Sequence, residues 1–155
     1  MKVTIYTDGA ARGNPGPGGY GIVMLSGHHK KELSAGYRMT TNNRMELLAV
    51  IVALEQLKKD NLEVDIFTDS KYVVDSVQKG WVWNWIKIGF KDKKNEDLWR
   101  RFLALYPKNK ITFHWVKGHA DNVYNNRCDI LATTAADGQN LSIDTIFERE
   151  KNTLL

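Results

Sequence analysis

Two segments of the sequence share one pattern, and each ends in an aspartate. Residues 3–8 and 64–69 both run valine, a variable residue, isoleucine, an aromatic residue, threonine and aspartate, which places Asp8 and Asp69 at their ends. The alternation of apolar residues with others is typical of β-strands. A strand–helix–strand connection favours parallel neighbours, whose carboxyl ends lie at the same edge of a sheet. We therefore expect both aspartates at the edge where open α/β sheets bind ligands.

Two further acidic residues, Glu46 and Asp129, head the apolar stripes of predicted helices. The stripes continue at helical spacing through Ala49, Val50, Ala53 and Leu57, and through Ala132, Thr133 and Ala136. A lone aspartate after a strand is usually a turn or cap residue, and a lone glutamate can belong to a solvated helix face. Four carboxylates on converging, core-facing positions favour a shared ligand instead, because an unpaired buried carboxylate is costly.

Oxygen ligands without a histidine–cysteine cluster indicate Mg²⁺ or Mn²⁺ rather than zinc. Two such ions about 3.5–4 Å apart can activate a water molecule and stabilise the leaving oxygen of a phosphoryl displacement. The formal charge of +4 and a pI near 9.1 suggest a polyanionic partner. Residues 79–94 contain five lysines and one aspartate, so the excess positive charge is local.

The elements that must position these residues follow from periodicity and turn signals. Further strands are predicted at 20–26 and 32–37, after a glycine-rich turn at 13–19, and at 110–116. A helix is predicted over 45–58 with Asn42 or Asn43 as its N-cap. The other predicted helices cover residues 70–78, 81–88, 95–105 and 123–137. Strands followed by alternating helices and strands predict an α/β fold with a mixed sheet.

Six motifs, taken together and in this order, resemble bacterial-type ribonuclease HI. They are Thr7–Gly9, Gly13–Gly21, Thr41–Leu47, Thr68–Ser70, Trp115–His119 and Arg127–Ala132. The resemblance runs from residue 1 to about residue 138. It implies a ribonuclease H-like mixed five-stranded sheet, with the first three strands antiparallel, flanked by helices. We expect a catalytic domain at 1–138 and a C-terminal tail at 139–155. In this tail, Ile143, Ile146 and Phe147 are predicted to form one packed helical turn.

The resemblance also implies an activity, namely hydrolysis of the RNA strand of RNA–DNA hybrids. It implies that Asp8, Glu46, Asp69 and Asp129 bind two Mg²⁺ ions, for which Mn²⁺ can substitute, in the substrate complex. His119 would help the product to leave or would shuttle a proton. Without the matching motif, a lone histidine in a loop is most often a solvated surface residue.

Residues for gripping the substrate are also implied by the resemblance. The family has a basic helical handle for the DNA strand, a phosphate pocket for that strand, and amides that contact the minor groove. Met39 departs from an arginine that often supports the pocket, and Lys71 replaces a glutamine that often touches the RNA. The corresponding residues are Trp81, Trp85 and Lys87 in the handle, Thr41 and Asn95 in the pocket, and Asn14, Asn42 and Asn43 at the minor groove. The alternatives are that the tryptophans belong to the core and that the asparagines are ordinary turn residues.

Two other functions fit parts of the sequence. Another nuclease on the same scaffold would share the carboxylates, and a hybrid-binding module without catalysis would bind the same duplex. A protein that contacts sugar and phosphate is expected to show little sequence preference. The single cysteine excludes an internal disulfide, and no signal peptide or membrane span is visible, so we expect a cytoplasmic protein without membrane contact. We also expect a free-standing monomer without an obligate protein partner.

Overall fold

The structure is a computed structural model that describes residues 2–117 and 122–153. Five strands form one sheet in the order β3-β2-β1-β4-β5. The strands β1, β2 and β3 pair antiparallel, whereas β4 pairs parallel with β1 and with β5. Their bounds are β1 Lys2–Ala11, β2 Gly16–Ser26, β3 His29–Thr40, β4 Glu63–Thr68 and β5 Lys110–Trp115. The predicted mixed sheet, with its first three strands antiparallel, is confirmed.

Helices cover both faces of this sheet. Their bounds are α1 Asn42–Glu55, α2 Lys71–Gln78, α3 Trp81–Lys87, α4 Glu96–Leu105, α5 Val123–Ala136 and α6 Thr145–Thr153, with a short 3-10 helix at Tyr106–Lys108. Helix α1 packs on β1 and β2 from one side, and α5 packs on β1, β2 and β3 from the other. The core under α1 contains the fully buried side chains of Ile5, Ile22, Leu47, Ile51 and Ile66. None of the helices in the described ranges is long and apolar enough to cross a lipid bilayer.

The first turn of α1 corrects one expectation. The N-cap is Thr41, not Asn42 or Asn43, because Thr41 has extended backbone angles and its Oγ1 accepts a hydrogen bond from the Arg44 amide. Both asparagines lie inside the helix. Threonine ranks somewhat below asparagine as an N-cap but is still a favoured one, so preference alone did not identify the cap, and the backbone angles at Thr41 decide it.

The glycine-rich turn is also shorter than predicted, since β2 already begins at Gly16. Close packing against α5 explains why a strand tolerates these glycines. A Cβ atom added to Gly19 would lie 2.5 Å from the carbonyl oxygen of Ala132. Only glycine therefore lets α5 approach the sheet at this point.

The chain after α5 is more ordered than the single predicted helical turn. Ser142 forms an isolated parallel bridge with Tyr37, and α6 follows. Ile143 is 51% exposed, whereas the side chain of Asp144 is buried. Asp144 helps to dock this segment through polar contacts with Thr40 and Arg44, and contacts of this kind leave no apolar period in the sequence. The division into a domain at 1–138 and a tail at 139–155 stays a prediction.

Candidate active site

Asp8 and Asp69 lie side by side because of the parallel pairing of β1 with β4. Tyr6 is in register with Phe67, and each aspartate follows its aromatic residue by two positions. Residues two apart in a strand point to the same face of the sheet. Tyr6 contacts Tyr124 of α5, so both aspartates lie on the α5 side, at the carboxyl end of β4.

Glu46 reaches the same point from the opposite layer. It is only 5% exposed and belongs to the second turn of α1. One carboxylate oxygen each from Asp8, Glu46 and Asp69 can be chosen so that all three atoms lie within 4.8 Å of one another. The sequence-based expectation that these three carboxylates converge is confirmed.

Asp129 joins the group from α5. It lines a small cleft together with Asp8 and Asp69, and its carboxylate is close enough to Asp8 to raise the pKa of that residue. Ala132 and Ala136, in the predicted stripe, are buried against the sheet, and Asp129 stands at the edge of that stripe. All four predicted carboxylates therefore face one place.

The electrostatics of this cluster favour a bound cation. Burial, and then the charges of Asp69 and Asp129, raise the pKa of Asp8 to about 8. Burial, and then the charges of Asp8 and Asp69, raise the pKa of Glu46 well above its ordinary value. These shifts measure how unfavourable several carboxylates are in a confined space without a positive charge between them.

Two oxygen atoms in the cluster also lack the partners that buried acceptors normally have. Glu46 Oε1 and Asp69 Oδ1 are buried and accept no hydrogen bond from any described residue. Buried polar atoms are nearly always paired with protein, water or an ion. The side chains that converge here offer carboxylate oxygens, which are the ligands that hard divalent cations prefer. The donor set therefore fits a metal ion.

The repulsion among these carboxylates predicts that, in EDTA, the stability of the fold depends on pH in an unusual way. The folded protein holds a proton on Asp8 up to about pH 8, whereas the unfolded chain releases it near the ordinary value of 3.8. The free energy of unfolding should thus fall as the pH rises from about 4 to 8. Asp8→Asn should reduce this slope, because the raised pKa of Glu46 remains, and should be more stable at pH 8 by on the order of 2 kcal/mol. Urea denaturation of both proteins at several pH values would measure the difference.

Asp137→Asn is a suitable control for that series. Asp137 pairs with Arg12 on the surface, which lowers its pKa, so the variant should keep the downward slope of the parent between pH 4 and 8. Below about pH 3, the free energies of unfolding of the parent and of Asp8→Asn should differ least, because Asp8 is protonated in both the folded and the unfolded state. Parallel curves for the parent and Asp8→Asn would contradict the prediction.

Several residues at the cleft were not singled out from the sequence. Asn125, Asn126, Val116 and Lys117 complete its lining, and Asn125 Oδ1 is buried without a partner among the described residues. Asn125 precedes Asp129 by one helical turn, so helical spacing was a signal that could have found it. His119 lies outside the described residues, and its role stays a prediction.

Trp115 was also missed as part of the site. Its indole nitrogen donates a hydrogen bond to the carbonyl oxygen of Asp69 at 3.1 Å. Its ring faces Lys71, whose Nζ lies 4.8 Å from the ring centroid. The structure therefore places Lys71, at the start of α2, beside the carboxylate cluster.

The residues expected to grip the substrate fall into two groups. Asn14 and Asn42 meet at the start of α1, where Asn14 Oδ1 accepts from the Asn42 amide at 3.1 Å, and Asn43 is exposed next to them. Thr41 caps the same helix, and Asn95 is joined to this end of α1 through a hydrogen bond from Arg44. The predicted minor-groove and phosphate residues are thus neighbours.

The second group lies on α3. Trp81 is 41% exposed beneath the ammonium group of Lys79, and Lys87 is exposed at the end of the helix. Trp85 is half-buried and packs edge-on against Trp99 of the core. The alternative that the tryptophans are core residues thus applies partly to Trp85 and not to Trp81.

Comparison with known proteins agrees with this architecture. A family model described as RNase H matches residues 1–137. The chain is 54% identical over 159 residues to the ribonuclease H of Lachnoclostridium phytofermentans, with 96% of this chain and 100% of the relative covered. It is 50% identical over 152 residues to the ribonuclease HI of a Synechocystis species, with 94% of each covered.

Solved structures give the same result. LC9-RNase H1, a type 1 RNase H with the type 2 active-site motif, superposes with a TM-score of 0.77 at 32% identity and covers 91% of this chain and 74% of that chain. LC11-RNase H1 in complex with an RNA/DNA hybrid superposes with a TM-score of 0.64 at 32% identity, covering 87% and 96%. The match of the family model, the identity to curated relatives and the shared fold together show that this chain belongs to the RNase H family.

Proposed function

We propose that this chain is an endonuclease that hydrolyses the RNA strand of RNA–DNA hybrids, with two Mg²⁺ ions, replaceable by Mn²⁺, held by Asp8, Glu46, Asp69 and Asp129. The observation that carries the proposal is the convergence of Asp8, Glu46 and Asp69 within 4.8 Å, with two buried oxygens unpaired among the described residues. Relatives named ribonuclease H and a neighbour solved with an RNA/DNA hybrid support the choice of substrate.

The residues around the cleft divide the work of catalysis. Asp8, Glu46, Asp69 and Asp129 would hold the metal ions, which when bound would activate a water molecule and stabilise charge on the leaving oxygen of the scissile phosphate. Asp8, Glu46 and Asp69 would fix the position of the metal ions. Asp8 lies near the carboxyl end of β1, Asp69 directly follows β4, and Glu46 lies on a buried turn of α1. Lys117 lines the cleft and adds a positive charge for the phosphate. We infer that His119 assists proton transfer or release of the product.

Recognition of the hybrid is assigned to two surfaces outside the cleft, one at the start of α1 and one on α3. Amides such as Asn14, Asn42 and Asn43 can contact base edges and 2′-hydroxyl groups in a minor groove. Thr41 and Asn95 are proposed to bind a phosphate of the DNA strand, and Lys71 to contact the RNA strand. The exposed Trp81 and Lys87, with Trp85 behind them, would hold the DNA strand through its sugars and phosphates.

A gel assay with end-labelled RNA tests this proposal. RNA–DNA hybrid, RNA duplex and single-stranded RNA are compared in Mg²⁺, in Mn²⁺ and in EDTA. Internal cuts confined to the hybrid, and absent in EDTA, would establish both the substrate and the need for a metal. A folded protein that binds the hybrid but leaves it intact in both metals would instead be a hybrid-binding module. A four-way DNA junction in the same assay checks for a junction-cutting nuclease.

The handle on α3 predicts a change in the salt dependence of binding. Lys87→Gln should reduce the slope of log Kd against log salt concentration by about 1, because each lysine–phosphate contact releases roughly one counterion. Fluorescence anisotropy with a labelled hybrid in EDTA measures this slope without cleavage. Lys110→Gln is the matched control, since Lys110 is exposed at the amino end of β5, away from the cleft. Equal slopes for the two variants would exclude Lys87 from the interface.

The setting in which the protein acts is also proposed. We infer a cytoplasmic enzyme that acts as a monomer and needs no obligate protein partner. Two observations support this: Cys128 is the only cysteine of the sequence, and one chain supplies Asp8, Glu46, Asp69 and Asp129. Sedimentation of the chain with and without hybrid would test the monomeric state.

A further inference from the structure

The guanidinium group of Arg44 is the centre of a buried polar cluster behind the phosphate residues. Its Nε and Nη2 donate to the Asp144 carboxylate at 2.7 and 2.9 Å. Its Nη1 and Nη2 donate to the Asp97 carboxylate at 2.9 and 2.7 Å. The fifth N–H donates to Asn95 Oδ1 at 3.3 Å. All five N–H donors of Arg44 are therefore used within the protein, and the side chain is only 3% exposed.

This saturation means that Arg44 is not itself the phosphate ligand. A phosphate could bind it only by displacing a bidentate carboxylate, and the cluster of one arginine and two aspartates carries a formal charge of −1. Arg38, the nearest arginine along β3, is likewise engaged with Glu148 of α6. Neither arginine is therefore free to bind an anion at this end of α1, and the neutral donors nearby are the candidates.

Arg44 instead orients two such donors. Because it donates to Asn95 Oδ1, the amide nitrogen of Asn95 must point the other way, where Nδ2 donates to the Tyr72 hydroxyl at 3.0 Å. One Nδ2 hydrogen then remains without an acceptor among the described residues. The backbone amide of Arg44 donates to Thr41 Oγ1 at 3.2 Å, which leaves the hydroxyl hydrogen of Thr41 to donate outward.

Asp144 determines where Arg44 is held. It is 8% exposed, binds two nitrogens of Arg44, and accepts a further hydrogen bond from Thr40 at 2.7 Å. Thr40 immediately precedes Thr41, so Asp144 ties together the chain before the cap and the arginine after it. Asp144 lies beyond residue 137, where the match to the family model ends.

We propose that Asp144 is a positioning residue for substrate binding: through Arg44 and Thr40, it sets Thr41 and Asn95 to donate together to one phosphate of the DNA strand. This inference rests on the proposed function, since it assumes that a hybrid is the ligand. It assigns to the C-terminal segment a share in substrate affinity, in addition to its share in stability.

Asp144→Asn tests the inference because the variant keeps the size of the side chain but replaces one acceptor with a donor that faces Arg44. We expect KM for the hybrid to rise about tenfold, equivalent to the loss of about one well-placed contact, while kcat stays within about twofold. Binding is then measured in EDTA with hybrids that carry one uncharged methylphosphonate at successive positions of the DNA strand. The parent should bind weakly when one particular phosphate is neutralised, and Asp144→Asn should lose that selective penalty.

Glu150→Gln is the matched control, because it removes an exposed carboxylate from α6 and leaves the ion pairs of Arg44 and Arg38 in place. It should keep both the parent KM and the penalty at that phosphate. If Asp144→Asn does not fold, Thr40→Val replaces it and should raise Kd about twofold to threefold through the lost hydrogen bond.

Two results would overturn the inference. One is a variant, Asp144→Asn or its substitute Thr40→Val, that has a lower melting temperature but keeps the parent KM and Kd, because Asp144 would then be structural only. The other is a parent protein with no methylphosphonate-sensitive position. Failure of the parent to cut the hybrid at all would be a separate result, and it would contradict the proposed function.

Discussion

Asp69→Asn is expected to abolish cutting of the hybrid, lowering kcat by roughly a thousandfold or more, while Kd for the hybrid changes by less than about threefold. The reason is the position of this carboxylate at the end of β4, within 4.8 Å of Asp8 and Glu46 and with one buried oxygen unpaired among the described residues. An asparagine has the same shape but offers one neutral oxygen, so the cluster loses a charge that a divalent cation needs. Phosphate and sugar contacts elsewhere on the surface are unaffected.

Single-turnover cleavage with excess enzyme and anisotropy in EDTA measure the two quantities separately. Asp65→Asn is the matched control, because Asp65 lies on the same strand and the same face but pairs with Lys2 and His114. It should cut at close to the parent rate. A rate for Asp69→Asn within tenfold of the parent would contradict the assignment, and an equal loss of cutting and binding would indicate that the variant disturbs the substrate surface.

Much of this site could be predicted from the sequence because short sequence patterns determine where its carboxylates lie. The shared pattern of residues 3–8 and 64–69 gives two strands of equal phase, and parallel pairing is enough to bring Asp8 and Asp69 together. Helical spacing likewise puts Glu46 on the buried face of α1. In these cases a short-range period and one topological rule determine where the side chain lies.

The rest depends on contacts between distant parts of the chain. Arg44 and Asp144 are one hundred residues apart, and no period relates them. Asp144 stands in a segment with little apolar pattern, next to the exposed Ile143, so its burial is visible only once β3 and α1 are in place. Helical spacing places Asn125 one turn before Asp129, but an asparagine in a helix does not by itself indicate a functional role. The roles of His119 and of the substrate-binding residues stay predictions.

Gly9→Ala is the second substitution from which we expect a large effect. A Cβ atom at residue 9 would lie 2.4 Å from the backbone nitrogen of Glu46 and 2.5 Å from the carbonyl carbon of Met45. These atoms belong to the helix backbone, so α1 would have to move away from β1. Overpacking of this kind should lower the free energy of unfolding by about 3 kcal/mol. Displacing Glu46 by about 1 Å should reduce kcat on the order of a hundredfold.

The displacement of Glu46 should also weaken metal binding. Measuring metal affinity therefore distinguishes a misplaced Glu46 from a mere loss of stability. Isothermal calorimetry with Mn²⁺ on folded Gly9→Ala should give a lower affinity than the parent, since Glu46 would no longer complete the cluster with Asp8 and Asp69. Gly138→Ala is the control, because its Cβ would lie 3.3 Å from the carbonyl oxygen of Ala135 and 3.6 Å from that of Thr134, and should change neither quantity appreciably. If Gly9→Ala were destabilised but bound Mn²⁺ as the parent does, then Glu46 would reach the cluster without the close approach of α1. The glycine after Asp8 would in that case serve packing alone.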